Sequence, residues 1–158
     1  MRNLVSESLN SLDDAIGIVN INKSSTSSTE QSNKSGSRPQ KCVLLVEDDR
    51  SVRRYLEVTL QRYGYKVITA EDGLEGMKHA LTSEVDAVIT DAVMPQMTGQ
   101  ELARFLRSNP KVSKLPIILL TGQENRNALR PSEKLIDAFL HKPVKAEDLK
   151  TCLANLLD

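Results

Sequence analysis

The chain has 158 residues, of which 39% are apolar and 27% charged, a composition typical of an ordinary globular domain. Lysines and arginines number 21, as do aspartates and glutamates, so binding to nucleic acid through charge alone is disfavoured. The two cysteines form no metal or disulfide pattern, and no apolar run could span a bilayer or serve as a signal peptide, so we predict a cytoplasmic protein that is not in a membrane.

The first 40 residues differ in composition from the rest of the chain. Within residues 1–22, apolar side chains recur at alternating spacings of four and three residues, which predicts either a short amphipathic helix or a frayed tail. Residues 23–40 are rich in serine and contain no aliphatic or aromatic side chain, which predicts a flexible linker. We therefore expect a folded domain over residues 41–158, preceded by a disordered N-terminal extension.

This domain alternates between apolar runs typical of buried strands and spacings typical of helices. Strands are predicted at residues 42–46, 66–70, 85–90, 116–121 and 138–141. Helical spacing occurs between and after them, at residues 52–60, 74–81, 102–106 and 149–156. The segment 122–136 is polar and contains Pro131, so a fourth helix there should be short, kinked or displaced. The alternation predicts an α/β fold with a doubly wound, five-stranded parallel sheet.

Polar side chains stand at the carboxyl ends of four predicted strands, where open α/β sheets bind their ligands. Glu47 and Asp48 follow the first strand, Asp91 follows the third, Thr121 ends the fourth and Lys142 follows the fifth. Clustered carboxylates recruit cations, and an all-oxygen set suits Mg²⁺. The lysine and threonine could hold phosphoryl oxygens, and one aspartate could be the nucleophile that forms an acyl phosphate.

Single residues at this rim have simpler interpretations. Asp49 is better explained as a helix cap than as a ligand. His141 is interpreted as a packing residue beside Lys142, and His79 as a surface residue. Only the combination of residue types at one rim indicates phosphoryl chemistry.

Residues 41–158 contain five motifs that resemble those of the receiver domains of two-component response regulators. The domain is similar to the chemotaxis-type single-domain regulators of that family. The motifs are, in chain order, the acidic pocket Glu47-Asp48-Asp49, the loop 91–99 with its Met-Pro pair, Thr121-Gly122, the aromatic Phe139, and Lys142-Pro143. The resemblance implies the flavodoxin-like strand order 2-1-3-4-5 and a cis proline at Pro143.

The resemblance also implies which residues accept the phosphoryl group and bind the metal ion. Asp91 would accept a phosphoryl group from a sensor histidine kinase or a histidine phosphotransfer protein. Mg²⁺ would be bound by Asp48, Asp91 and the backbone carbonyl of Val93, with Glu47 acting through a water molecule. Gly122 would let the phosphoryl group approach.

The remaining matched residues would read out the phosphorylation. Thr121 and Lys142 would hold phosphoryl oxygens, and Thr121 would move inward while the switch aromatic Phe139 rotates. This movement would reshape the face formed by the family's fourth helix, fifth strand and fifth helix, where an unknown target protein would bind. Such a domain is not an enzyme in its own right, although it assists its own phosphorylation and dephosphorylation.

Two departures from the family pattern concern specificity and lifetime. Leu135-Ile136 stand where the family often has Gly-Ala, and Pro131 lies just upstream, so the fourth-helix surface is atypical. Val93 cannot orient an attacking water molecule by hydrogen bonding, which predicts slow loss of the phosphoryl group.

Other functions are compatible with parts of the pattern. An aspartate-nucleophile phosphatase would need a second acid where Val93 stands, and a flavin or dinucleotide domain would need a glycine-rich first turn. A binding module of the same fold that works without phosphorylation stays open. We expect no DNA-binding output domain after the last predicted helix, which suits a free-standing regulator, but the C-terminal part of a hybrid kinase would look the same.

Overall fold

The computed structural model describes residues 38–122 and 134–158, which form a five-stranded sheet flanked by helices. The elements in chain order are β1 (Cys42–Val46), α1 (Arg50–Arg62), β2 (Lys66–Ala70), α2 (Gly73–Thr82), β3 (Ala87–Asp91), α3 (Gly99–Ser108), β4 (Ile117–Thr121), β5 (Ala138–His141) and α4 (Ala146–Leu157). All strand pairs in this sheet are parallel, and the order is β2-β1-β3-β4-β5. The predicted fold class and strand order are confirmed.

Some predicted features fall outside the described residues. These are the N-terminal helix or tail at residues 1–22, most of the linker and the disordered extension, and the greater part of the segment predicted to carry the fourth helix. Within the described ranges, no helix is both long and apolar enough to cross a membrane.

Helices cover both faces of the sheet because successive side chains of a strand point in opposite directions. Val43 and Leu45 of β1 pack with leucines of α1 and α4, whereas Leu44 and Val46 pack with residues of α2 and α3. All four of these β1 side chains are fully buried. This two-sided burial explains why the strand is a continuous apolar run rather than an alternating one.

The helix ends are set by local side chains. The Asp49 carboxylate accepts a hydrogen bond from the Val52 N–H at 2.9 Å and caps α1, as its position predicted. The α1 helix stops before Gly64, whose φ of 90° lies in the left-handed region that favours glycine. At the start of α3, Thr98 and Glu101 form a reciprocal capping box.

The third strand differs from its predicted range of 85–90. It runs from Ala87 to Asp91, and Asp91 pairs with Leu120 of β4 instead of following the strand. At the other end, the Asp86 carboxylate accepts a hydrogen bond from the Cys42 N–H at 2.7 Å, so a side chain takes the place of a strand-to-strand bond. Composition alone does not reveal either contact.

Candidate functional site

Three carboxylates meet where β1 and β3 end, next to each other in the sheet. Glu47 and Asp48 follow β1 directly, and Asp91 is the last residue of β3. One carboxylate oxygen from each of these residues lies within 4.8 Å of the others. The sheet reverses its winding between β1 and β3, so the cluster occupies the position where open α/β sheets bind ligands.

The three carboxylates differ in their exposure to solvent. Glu47 is fully buried, Asp91 is nearly so, and Asp48 is exposed. The backbone N–H of Asp49 donates to Glu47 Oε1 at 3.1 Å, which fixes the side chain that faces inward. The cluster therefore has a buried wall and an open side from which a ligand can enter.

Lys142, the residue after β5, is the cation of this cluster. Its Nζ lies 2.9 Å from Glu47 Oε2 and 3.0 Å from Asp91 Oδ1. Burial on its own would lower the pKa of Lys142, but the hydrogen bonds to Glu47 and Asp91 outweigh it and raise the pKa. The side chain is thus held as an ammonium ion.

Burial also disfavours the charge on Glu47, and here it is not outweighed. Burial raises the pKa of the Glu47 carboxyl above its ordinary value, the hydrogen bond from Lys142 opposes the rise, and the nearby Asp91 carboxylate adds to it. One ammonium thus faces three carboxylates, and the excess of negative charge favours a further cation.

The carboxylate cluster fits a small divalent cation. Mg²⁺ binds oxygen ligands octahedrally at about 2.1 Å, so neighbouring ligands are about 3.0 Å apart and opposite ligands about 4.2 Å apart. The oxygens of Glu47, Asp48 and Asp91 lie within 4.8 Å of one another, close to these spacings. Mg²⁺ also keeps several water molecules in its shell, which agrees with the exposed side of the cluster.

The loop after β3 is held close to the Asp91 backbone. The Gly99 N–H donates to the Ala92 carbonyl at 3.0 Å, so the chain from residue 92 to residue 99 closes on itself. A Cβ atom at Gly99 would overlap the Asp91 carbonyl oxygen and press on the Leu119 side chain. Glycine is therefore required here by close backbone approach.

Comparison with known proteins identifies the family. Residues 43–154 match the family model described as the response regulator receiver domain. The chain belongs to this family. Receiver domains are signalling parts of two-component systems, found in hybrid kinases and in response regulators, so this receiver is a signalling domain rather than a conventional enzyme.

Two relatives are examples of a hybrid kinase and of a response regulator. Hybrid signal transduction histidine kinase D of Dictyostelium discoideum is 34% identical over 116 residues, and response regulator MprA of Mycobacterium sp. (strain KMS) is 35% identical over 116 residues. Each alignment covers 73% of this chain, but 7% of the kinase and 50% of the regulator. The chain thus spans at most half the length of these relatives.

Solved structures of receiver domains agree with the fold. Chemotaxis protein CheY4 of Vibrio cholerae has a TM-score of 0.66 and 33% identity, covering 75% of this chain and 100% of that chain. The receiver domain of sensor histidine kinase PA1611 from Pseudomonas aeruginosa PAO1 has a TM-score of 0.65 and 28% identity, with 75% and 98% covered. The PA1611 structure has a magnesium ion coordinated in its active site cleft.

The other predicted site residues of this receiver lie around the same rim. Thr121 ends β4 with a buried side chain, and its carbonyl accepts a hydrogen bond from the Lys142 N–H at 2.8 Å. The Lys142-Pro143 peptide bond is cis, as the resemblance implied. Val93 lies in the loop after β3 with its side chain 61% exposed, and Phe139 of β5 is 44% exposed.

Two residues near the rim, Arg53 and His141, were not among the predicted site residues. From α1, Arg53 donates to the Glu47 carbonyl at 2.8 Å and pairs with Glu71 at 3.1 Å, so it anchors the acidic turn. His141 was interpreted as a packing residue, and that interpretation is wrong. It is exposed, because it lies on the edge strand β5, and its Nδ1 lies 3.2 Å from Thr121 Oγ1. The position of His141 at the end of β5 was an available signal, whereas Arg53 lies within α1 and offered none.

Proposed function

We propose that this receiver domain accepts a phosphoryl group on Asp91 from a phosphohistidine, with the help of Mg²⁺, and then changes its protein contacts. The observation that carries the proposal is the position of Asp91. One of its oxygens lies within 4.8 Å of oxygens of two further carboxylates, and its Oδ1 lies 3.0 Å from the Lys142 Nζ. Phosphoryl transfer needs mainly such positioning and charge neutralisation.

In the proposed step, an Asp91 carboxylate oxygen forms a bond to phosphorus while the phosphorus–nitrogen bond of the phosphohistidine breaks. The leaving imidazole nitrogen keeps the electron pair of that bond, and Asp91 becomes an acyl phosphate. Lys142 stays close to the reacting carboxylate and attracts a phosphoryl oxygen. Thr121, at the end of the neighbouring strand, donates its hydroxyl hydrogen to another.

The metal would be held by Asp48 and Asp91, with the Val93 carbonyl as a backbone ligand and Glu47 acting through water. Bound Mg²⁺ would supply positive charge to the transferring phosphoryl oxygens. Glu47 is favoured as an indirect ligand because its two carboxylate oxygens already accept hydrogen bonds from the Asp49 N–H and from Lys142. Asp48 is exposed and has greater freedom to turn toward an ion.

We propose that the phosphoryl donor is a sensor histidine kinase or a histidine phosphotransfer protein and that the domain acts in the cytoplasm. Support comes from the histidine kinases among the relatives and from the surface beside the site. A groove of about 650 Å³ lies next to Lys142 and is lined mainly by apolar groups. Its walls come from the first half of α1 and from the residues after β5: Ser51, Val52, Tyr55, Leu56, Lys142, Pro143 and Val144.

The output is proposed to be a change at the face that includes β5 and α4. Phosphorylation would draw Thr121 toward Asp91, and Phe139 would rotate into the space that Thr121 vacates. Phe139 of β5 is directly opposite Leu119 of β4. Leu119 lies two residues before Thr121, so the two side chains are on the same face of β4. The target is a protein, and the functional unit is the domain over residues 41–158, with residues 1–40 as an extension.

Intact-protein mass spectrometry tests this function. The protein is incubated with acetyl phosphate in the presence of Mg²⁺, or with a chelator instead, and Asp91→Asn and Asp49→Asn are treated alike. We expect one added phosphoryl group on the wild type and on Asp49→Asn, and none on Asp91→Asn or without Mg²⁺. Asp49→Asn is the matched control because asparagine retains the helix cap. No gain on the wild type would favour a module that binds its partner without phosphorylation.

A further inference from the structure

The Thr121 hydroxyl has a side-chain partner on the neighbouring strand. Only 1% of the Thr121 surface is exposed to solvent, and its Oγ1 lies 3.2 Å from Nδ1 of His141. Among the residues that the structure describes, His141 is the side chain that hydrogen-bonds this hydroxyl. The bond joins a buried residue of the rim to an exposed residue at the edge of the sheet.

The strand register explains the contact. Thr121 is directly opposite His141, the last pair in the parallel ladder between β4 and β5. The Lys142 N–H donates to the Thr121 carbonyl at 2.8 Å, so the backbones are fixed on both sides of the side-chain bond. His141 also shares its strand face with Phe139, because the two are two residues apart.

We propose that His141 is a positioning residue that holds the Thr121 hydroxyl in the resting state and sets how readily Thr121 turns toward a phosphoryl group on Asp91. This inference rests on the proposed function of Asp91. A threonine hydroxyl has one hydrogen to donate. In the proposed resting state Nδ1 of His141 accepts that hydrogen, which is then not available to a phosphoryl oxygen, so switching must break the bond to His141.

Loss of the imidazole should therefore favour the phosphorylated conformation. Without an acceptor at residue 141, the buried hydroxyl lacks that partner in the resting state, whereas a phosphoryl oxygen still accepts its hydrogen in the switched state. A buried hydroxyl without its partner is unfavourable by an amount that corresponds to about a fivefold change in an equilibrium constant. His141 thus opposes switching, and its removal shifts the equilibrium toward the conformation in which Thr121 contacts the phosphoryl group on Asp91.

Four single variants and one double variant separate this role from a purely structural one. His141→Val removes the acceptor and keeps a residue type suited to a strand. His141→Asn keeps an acceptor, since the asparagine Oδ1 occupies nearly the same place as the imidazole Nδ1. Thr121→Val removes the hydroxyl, and combining it with His141→Val completes a double-mutant cycle. His79→Val, on α2, controls for the loss of a histidine elsewhere in the domain.

The measurement is the affinity for beryllium fluoride, an analogue of the phosphoryl group, determined by titration calorimetry in the presence of Mg²⁺. We expect His141→Val to bind about fivefold more tightly than the wild type. His141→Asn and His79→Val should stay within about twofold of it. In the Thr121→Val background, His141→Val should have no further effect.

The outcomes distinguish this inference from the proposed function. If the wild type does not bind beryllium fluoride at all, the proposed function of Asp91 is wrong. If the wild type binds and His141→Val binds equally well, the positioning role is wrong and the function stands. An increase in affinity that persists in the Thr121→Val background would also overturn the role, because it could not act through the hydroxyl.

Discussion

Lys142 Nζ lies 3.0 Å from Asp91 Oδ1, although the two residues belong to strands that are not neighbours. The strand β4 separates β3 from β5, so the lysine reaches across one strand end to the carboxylate. The same ammonium is 2.9 Å from Glu47 Oε2, which follows β1. One side chain therefore links the ends of three strands and balances part of the charge at the rim.

Lys142→Met should destabilise the domain at neutral pH in the absence of Mg²⁺. The change leaves the buried Glu47 carboxylate without its cation, and we expect a loss of about 3 kcal/mol in the free energy of unfolding. Lys78→Met, at an exposed position of α2, is the control and should have little effect.

The loss caused by Lys142→Met should shrink as the pH falls. Burial raises the pKa of Glu47, so the folded state binds the proton more tightly than the unfolded state, and acidification through that raised pKa favours folding. A protonated Glu47 no longer needs the ammonium. Urea unfolding at about pH 7.5 and about pH 5.5 measures this trend. An equal loss at both pH values would contradict it.

Mg²⁺ should raise the melting temperature of the wild type. At a concentration about tenfold above its dissociation constant, a ligand that binds only the folded state adds about 1.4 kcal/mol, or about 6 °C for a domain of this size. Asp48→Asn should lose most of this shift, since it removes the exposed carboxylate of the cluster. Asp49→Asn should keep it, and a shift of equal size in both variants would place the ion elsewhere.

Two glycines near the rim should respond differently to alanine. Gly99→Ala should destabilise the domain by about 2 kcal/mol, because the new methyl group overlaps the Asp91 carbonyl oxygen. Gly122→Ala should change stability by less than about 0.5 kcal/mol, because no heavy atom of the described residues beyond its chain neighbours lies within 4 Å of a Cβ there. Thermal unfolding of both variants measures the difference, and similar losses would refute the steric argument.

Val93→Asn should shorten the life of the acyl phosphate. The exposed valine offers no hydrogen bond to a water molecule that attacks phosphorus, whereas an asparagine could orient one, which should speed the loss by about tenfold. The first-order decay of the phosphorylated mass peak measures the rate, with Val93→Leu as the apolar control. Rapid loss from the wild type that Val93→Asn leaves unchanged would contradict this expectation.

The rim could be predicted because parallel strands end at a common edge. Once the strands around Glu47, Asp91 and Lys142 were recognised, their convergence followed from the sheet itself. The role of Asp49 as the N-cap of α1 could also be predicted, since a helix cap needs only a local contact. The strand order and the switch residues required the resemblance to a family.

Long-range side-chain contacts could not be predicted. Arg53 reaches the acidic turn from α1, and the bond between Thr121 and His141 depends on the register of β5. Arg107 of α3 donates to the Leu135 carbonyl at 3.1 Å and pairs with Asp137 at 2.7 Å, close to where the sequence departs from its family. Such contacts join residues whose separation along the chain carries no pattern.

Chemical localisation of the phosphoryl group tests the central claim most directly. After incubation with acetyl phosphate and Mg²⁺, borohydride reduces an acyl phosphate to an alcohol and converts the phosphorylated aspartate to homoserine, which peptide mass spectrometry can locate. We predict homoserine at position 91 and nowhere else, and none when Mg²⁺ is chelated. Homoserine at position 48 or 49, or its absence from a protein that has gained phosphoryl mass, would contradict Asp91 as the acceptor.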